Sequence, residues 1–266
     1  YEITTRLVGS EMCIRDSGIT AAVLKYRMPN GHPEVPLEDV EQALRIMMGL
    51  EAGATGFTAG KVGIVGSSAG GHLAASASTL AETKPAFSIL FYPVITAEKG
   101  KGHQGSFNAL LGGSRNAESD TWYSLQNRVT AQTPPTLLLL SDDDKVVPPV
   151  NGILYYNALK EHGVKASMHI YPTGGHGWGI RDRFKYKEQW QQATLDWLKE
   201  LNDDRNTASV LLRQPGLPGC VDVGIRPATS RKSAGRELAE AVVQAAVQEF
   251  GQQVRSRRES DWPAGQ

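Results

Sequence analysis

The sequence predicts an α/β domain, a mostly parallel sheet with helices on both faces, and three observations predict it. Short apolar runs bounded by proline or glycine recur through residues 18–202. Segments with apolar residues at helical spacing lie between them, and this alternation is the pattern of parallel strands joined by crossover helices. Several runs, Leu137–Leu140 among them, are apolar at every position, as strands buried on both faces must be.

The elements follow in order. Ile19–Leu24 reads as a strand, ended by the turn residues Pro29-Asn30-Gly31. Leu37, Val40, Leu44 and Met47 recur at helical spacing and predict an amphipathic helix over 37–50. Lys61–Val65 predicts a strand, and Ala69–Glu82 the helix after it. Phe87–Tyr92 and Thr136–Leu140 are two further continuous apolar strands. The stretch from Ile95 to Ala131 is long for a plain connection, so short helices are expected near 107–111 and 119–125. Ile153–His162 predicts a helix, Ser167–Tyr171 a strand and Tyr186–Leu201 a last helix.

Two flanking segments read differently. Glu11-Met12-Cys13-Ile14-Arg15-Asp16-Ser17 matches the translation of a transposase-type sequencing adapter, so residues 1–17 are expected to be a non-native leader and are set aside. After Leu201 the alternation stops, and Gln214-Pro215-Gly216-Leu217-Pro218-Gly219 has linker composition. Leu238, Val242, Val243, Ala246, Val247 and Phe250 then predict one amphipathic helix. A single helix forms no core alone. Residues 203–266 are therefore read as a linker and helical tail that docks elsewhere, pairs with a partner, stays mobile or is foreign to the domain at 18–202.

Composition narrows the function classes. Lys and Arg total 28, matched by 28 Asp and Glu, so no net field favours nucleic acid or an anionic membrane, and neither is expected as a partner. No apolar run approaches the ~18 residues of a membrane span. Cys13 and Cys220 are the two cysteines, too few for a disulfide framework or a zinc site. No basic and apolar secretion signal opens the chain.

Chemistry concentrates at three places. Gly66-Ser67-Ser68-Ala69-Gly70 fits G-x-S-x-G between a predicted strand and helix, the setting in which a serine is thrust out on a sharp turn. A phosphate-cradling loop is the alternative, but no Gly-Lys-Ser/Thr ending follows. A serine hydroxyl needs a base, and the base an orienting acid. The strand at 136–140 runs into Ser141-Asp142-Asp143-Asp144, at the strand end where open α/β sheets carry their sites. Asp144 is chosen because it precedes Val147-Pro148 by three; the other two aspartates are read as a solvated turn. His176, in Gly174-Gly175-His176-Gly177-Trp178-Gly179, lies past the last strand and before the last helix, and is the expected base. His72 is expected to pack in the helix, and His32, His103, His162 and His169 show no partner pattern. No histidine pair has metal-ligand spacing, so neither a metal nor a cofactor is expected.

Together with Tyr26-Arg27-Met28-Pro29 and Phe91-Tyr92-Pro93, these motifs resemble the α/β-hydrolase superfamily over residues 18–201. Within it the chain is similar to bacterial acetyl-xylan and feruloyl esterases of the xylanase-like group. The resemblance implies a serine esterase acting on small-molecule esters, acylated sugars or xylan among them, with Ser68 as nucleophile, His176 as base and Asp144 as orienter. It implies Ala69 as one oxyanion donor, and a secreted or periplasmic parent. A prolyl-oligopeptidase-type peptidase shares the fold and triad order, but normally carries a large gating domain that has no match here. An inactive truncated chimera is the third reading. Trp122, Tyr123 and Trp178 are either a platform for a sugar or aromatic acyl group, Trp178 as a binding residue, or core filling.

The resemblance also implies early strands that are missing. One would lie between the strands at 19–24 and 61–65 and lead into a Gly-rich loop with the second oxyanion donor. Its loss would leave two buried strands exposed or mispaired and lower turnover by ~10²–10³. The chain is therefore expected to be unstable and poorly active, unlike its full-length parent.

Overall fold

A computed structural model of the chain describes residues 2–4, 20–50, 61–179, 181, 183–211 and 241–245. The strands are β1 (Glu2–Thr4), β2 (Thr20–Lys25), β3 (Val62–Ser67), β4 (Ser88–Phe91), β5 (Thr136–Ser141), β6 (Ala166–Tyr171) and β7 (Ala241–Ala245). The helices are α1 (Glu34–Met47), α2 (Ala69–Thr79), α3 (Gln104–Leu111), α4 (Ala117–Trp122), α5 (Val150–Glu161) and α6 (Lys187–Leu211). The strands form one sheet in the order β1-β2-β7-β3-β4-β5-β6. Only β1 runs antiparallel to its neighbour. This is the mostly parallel architecture of the α/β-hydrolase fold.

The continuous apolar runs explain the two-sided core. Successive residues of a strand point to opposite faces, so β5 sends Leu138 to one side and Leu137 and Leu139 to the other. Leu138 joins Leu90, Ile64 and Val40, Leu44, Leu73 and Tyr155 of α1, α2 and α5. Leu137 and Leu139 join Ile89, Phe87 and the α6 residues Trp190, Trp197 and Leu198. Residues 137–139 are fully buried, and burying each such leucine contributes roughly 1.5–3 kcal/mol relative to exposure. A third, smaller cluster of Val94, Phe107, Leu111 and Val147 sits under the segment between β4 and β5.

That segment is a built cap. Asn116 opens α4 with a capping box, its side chain accepting from Ser119 N. Arg115 ties α4 to α3, through Asp120 on one and the carbonyl of Gln104 and Asn108 on the other. Buried Asn151 of α5 braces the base of the cap. It accepts from the backbone N–H of Ile95 and Thr96 and donates to the carbonyl of Lys101.

The flanks correct the sequence reading. β2 and β3 do not pair directly; β7 lies between them in parallel, with Val243 opposite both Ala22 and Ile64. The expected gap is therefore occupied, by residues whose spacing predicted helix. A short apolar run such as Ala241-Val242-Val243-Gln244-Ala245 satisfies either period. Two facing edges with unpaired N–H and C=O groups favour the strand. At the other boundary α6 continues to Leu211, beyond the predicted end of the domain at 202. Glu2–Thr4, within the predicted leader, pairs antiparallel with β2. The adapter-like segment with Cys13, the linker at 214–219, Cys220 and the remainder of the predicted tail helix lie outside the described residues.

Candidate active site

Parallel pairing brings the carboxyl ends of β3, β5 and β6 to one rim: Ser67 lies beside Phe91 of β4, and Ser141 beside Tyr171. Ser68, Asp144 and His176 all follow those ends within five residues, so chain order and sheet order deliver them to one place.

Ser68 stands at the turn from β3 to α2 with φ 55° and ψ −122°, a conformation costing a non-glycine residue about 1–3 kcal/mol. The surrounding backbone holds it there. Ser68 N–H donates to the Phe91 carbonyl at 3.0 Å, and its own carbonyl accepts from His72 and Val94 N–H. Gly66 is required for the close approach, since a Cβ there would meet the Gly70 carbonyl oxygen at 2.2 Å. The N–H of Ala69 belongs to the first turn of α2, which helix geometry leaves without an intrahelical acceptor.

Asp144 is buried. Its Oδ1 accepts from the N–H groups of Val146 and Val147, both at 2.9 Å. The other oxygen, Oδ2, lies 2.6 Å from His176 Nδ1. The spacing to Val147-Pro148 therefore has a mechanical cause: the carboxylate caps its own loop with one oxygen and holds the imidazole with the other. His176 Nε2 lies 2.8 Å from Ser68 Oγ. The structure thus brings Ser68, His176 and Asp144 into one hydrogen-bonded line, and a proton can pass along its first link.

The histidine loop is held by residues the sequence reading passed over. Asp143, read as a solvated turn residue, accepts from Gly175 N–H at 2.8 Å. That hydrogen bond keeps its carboxyl below the usual carboxylate range. Gly175 and Gly177 flank the histidine at φ 59° and 73°, where side chains are rarely tolerated. Tyr92, just past β4, packs its ring edge-on to His176 with centroids 4.8 Å apart. Burial pushes its phenol up to about 12, against hydrogen bonds to Gly179 and Ser67, so it stays neutral. Tyr92 was visible only as part of the Phe91-Tyr92-Pro93 motif.

The expected aromatic platform separates into three fates. Trp178 is 3% exposed, stacked on Phe184 at 4.1 Å and edge-on to Tyr92 and Phe91. It is core, not a binding surface, because a dry aromatic cluster under the histidine loop buries more apolar area than a solvent-facing ring. Trp122 is exposed, with the Arg128 guanidinium 3.8 Å above its ring. Tyr123 alone of the three lines a cavity of about 230 Å³ beside Ser68, whose walls include Leu37, Leu73, Phe107 and His103.

His72, also on that wall, packs as expected. It is buried, its Nε2 lies 2.9 Å from the Tyr123 carbonyl, and its ring meets Phe107 edge-on. Burial pulls its pKa down to about 4. Among the described residues no group of three or more His, Cys, Asp and Glu side chains is placed to hold a metal ion. Among them, too, no helix is long and apolar enough to cross a membrane.

The chain is similar to several known proteins. The acetylxylan esterase of Xylanibacter ruminicola is 41% identical over 194 residues, covering 71% of this chain and 40% of that protein. The endo-1,4-beta-xylanase B of Butyrivibrio fibrisolvens is 32% identical over 177 residues, covering 60% of this chain and 28% of that protein. The chain thus spans two fifths or less of the length of these relatives. Among solved structures, the acetyl ester-xyloside bifunctional hydrolase from Caldicellulosiruptor lactoaceticus superposes with a TM-score of 0.65 at 33% identity, over 73% of this chain and 75% of that one. Residues 35–204 match the family profile described as the prolyl oligopeptidase family. The chain belongs to the prolyl oligopeptidase family and has the α/β-hydrolase fold.

Proposed function

We propose that this chain carries the catalytic machinery of a serine carboxylic-ester hydrolase that deacylates carbohydrate esters. The observation that carries the proposal is the continuous line Ser68 Oγ, His176 Nε2, His176 Nδ1, Asp144 Oδ2, with links of 2.8 and 2.6 Å. A neutral imidazole bonded through Nδ1–H to a carboxylate leaves Nε2 unprotonated and facing the hydroxyl, the arrangement a general base needs. As Oγ attacks the ester carbonyl, Nε2 takes its proton, and the carbonyl oxygen becomes an oxyanion beside the Ala69 N–H. Collapse breaks the bond to the alcohol, which receives the proton from Nε2 and leaves an acyl-serine. Water then repeats the sequence, releasing the acid and restoring Ser68.

The names of the similar proteins support the ester and the carbohydrate. One is an acetylxylan esterase and another an acetyl ester-xyloside hydrolase. The test is release of acetate from an acetylated xylo-oligosaccharide by this chain. Release is expected, since β7 fills the slot between β2 and β3 whose vacancy predicted an unstable, poorly active chain. Loss to background is expected in Ser68→Ala; release that survives the substitution would overturn the proposal.

A second reading, serine peptidase, draws on the family's description. It also draws on 33% identity over 92 residues to a probable dipeptidyl-peptidase 5 of Aspergillus niger, covering 35% of this chain. Turnover of dipeptide anilides without turnover of acetyl esters would favour it.

A further inference from the structure

A second histidine stands at the same cavity as Ser68. His103 sits at the N-cap of α3, and its Nδ1 accepts from Ser106 N–H at 3.2 Å, with the Ser106 hydroxyl 2.8 Å away. An imidazole nitrogen that accepts from a backbone N–H carries no proton, so the proton of the neutral ring is on Nε2. Burial lowers the pKa of His103 and the nearby His176 lowers it further, against an opposing effect of Asp144, so the ring is neutral at neutral pH. No group among the described residues takes a hydrogen bond from Nε2. The walls around it are largely apolar, Leu37, Leu73, Leu110 and Phe107 among them. The result is a donor of fixed tautomer at a largely apolar cavity that Ser68 also lines. In the proposed reaction an acetyl group is small, so the sugar alcohol is the half of the substrate large enough to fill the cavity of about 230 Å³ that Ser68 and His103 share.

Resting on that reading of the site, we infer that His103 is a specificity-determining residue whose Nε2–H binds an oxygen of the alcohol half of the substrate, a ring hydroxyl or ring oxygen of the acylated sugar. A hydroxylated alcohol supplies the acceptor that this donor lacks in the free protein. A plain aryl alcohol supplies no acceptor beyond its leaving oxygen and leaves the donor unpaired.

His103→Asn isolates the interaction. Asparagine is among the best N-cap residues, and its Oδ1 replaces Nδ1 as acceptor for Ser106 N–H while the Nε2 donor is lost. The ratio of kcat/KM for an acetylated xyloside to that for phenyl acetate is expected to fall about five- to tenfold in His103→Asn, as for loss of one hydrogen bond. An unchanged ratio would overturn the assignment. A readout independent of turnover accompanies it, in Ser68→Ala carrying nitrogen-labelled histidine. There the His103 resonances should report a proton on Nε2 and none on Nδ1, and the Nε2 signal should move on addition of the acetylated xyloside but not of phenyl acetate. The opposite tautomer, or no ligand-dependent shift, contradicts the inference. Absence of turnover of either ester by the unsubstituted chain would instead count against the esterase reading, so the two failures are distinguishable.

Discussion

The two halves of the sheet are assembled in different ways. From β3 to β6 the strands enter the sheet in chain order, each pairing in parallel with the next. On the other side β1, β2 and β7 come from opposite ends of the chain, and β7 reaches its place between β2 and β3 from more than 170 residues beyond β3. The first half rests on crossovers whose handedness and length are strongly constrained; the second rests on pairing between strands far apart in the chain, with Ala22 and Leu24 of β2 packed into the core. The proposed catalytic residues all lie on the first half. Chemistry and the less constrained topology are thus separated, and perturbing each half should have different consequences.

The largest expected effect sharpens the first side of this comparison. Asp144→Asn keeps the shape of the loop but lets Nδ1 become the acceptor, which puts the imidazole in the wrong tautomer. kcat on acetyl esters is expected to fall by ~10⁴, with the unfolding transition little changed because Oδ1 still caps Val146 and Val147.

Next comes a pH effect on the same half. His72 is neutral in the folded chain down to about 4 and titrates near 6.5 when unfolded. Between those values the unfolded chain binds the extra proton, so stability is full above ~6.5 and declines as pH falls toward 4, by up to about 3 kcal/mol. Urea unfolding across this range should show the decline, and His72→Gln should flatten it.

Val243→Pro probes the other half, since proline in a strand paired on both sides removes a ladder donor. The cost is expected to be about 1–3 kcal/mol for the orphaned partner, with amide exchange accelerating first at Val62–Gly66. Unchanged exchange there would mean that β7 does not hold the slot.

A smaller effect belongs to Asp39 on α1. Its buried carboxylate accepts from the backbone N–H of Arg27 and from the guanidinium at 2.8–3.1 Å. Burial pushes its pKa up, but the bonds and charge of Arg27 more than offset this, leaving it lowered. Its contribution is therefore present above the ordinary carboxylate range and lost as pH falls below it. Asp39→Asn should cost roughly 1–2 kcal/mol at neutral pH and progressively less in acid. Activity at room temperature should change little, because neither Arg27 nor Asp39 shares a hydrogen bond with Ser68, His176 or Asp144.

The smallest effect returns to the site. Asp143→Ala frees the Gly175 N–H and loosens the loop that carries His176. A few-fold loss in kcat without a change in KM is expected, from poorer alignment alone.

Legibility in the sequence followed the same division. The elements between residues 20 and 201 were readable because strand and helix alternate and the clearest of them, the apolar run Leu137–Leu140 and the periodic Leu37–Met47, fix the pattern. Ser68, Asp144 and His176 were readable because their positions after successive strands are one-dimensional facts. The partners of those residues were not. Nothing in Ser141-Asp142-Asp143-Asp144 distinguishes the carboxylate that meets an imidazole from the one that meets a backbone N–H. Trp178 was ambiguous because an aromatic beside a glycine-flanked histidine can face solvent or core, and only the stack with Phe184 decides it. His103 gave no signal because its role depends on Ser106 capping and on a cavity wall drawn from distant residues. β7 was misread because the helical spacing from Leu238 to Phe250 outweighed the short run Ala241–Ala245, which fits a period of two as well as one of 3.6.

The account depends on an activated hydroxyl at Ser68, and covalent labelling reads it most directly. A fluorophosphonate probe should modify one residue per chain, mapped to the peptide containing Ser68, and His176→Ala should slow that reaction by orders of magnitude. Labelling at no serine, at another serine, or at an undiminished rate without His176 would contradict it.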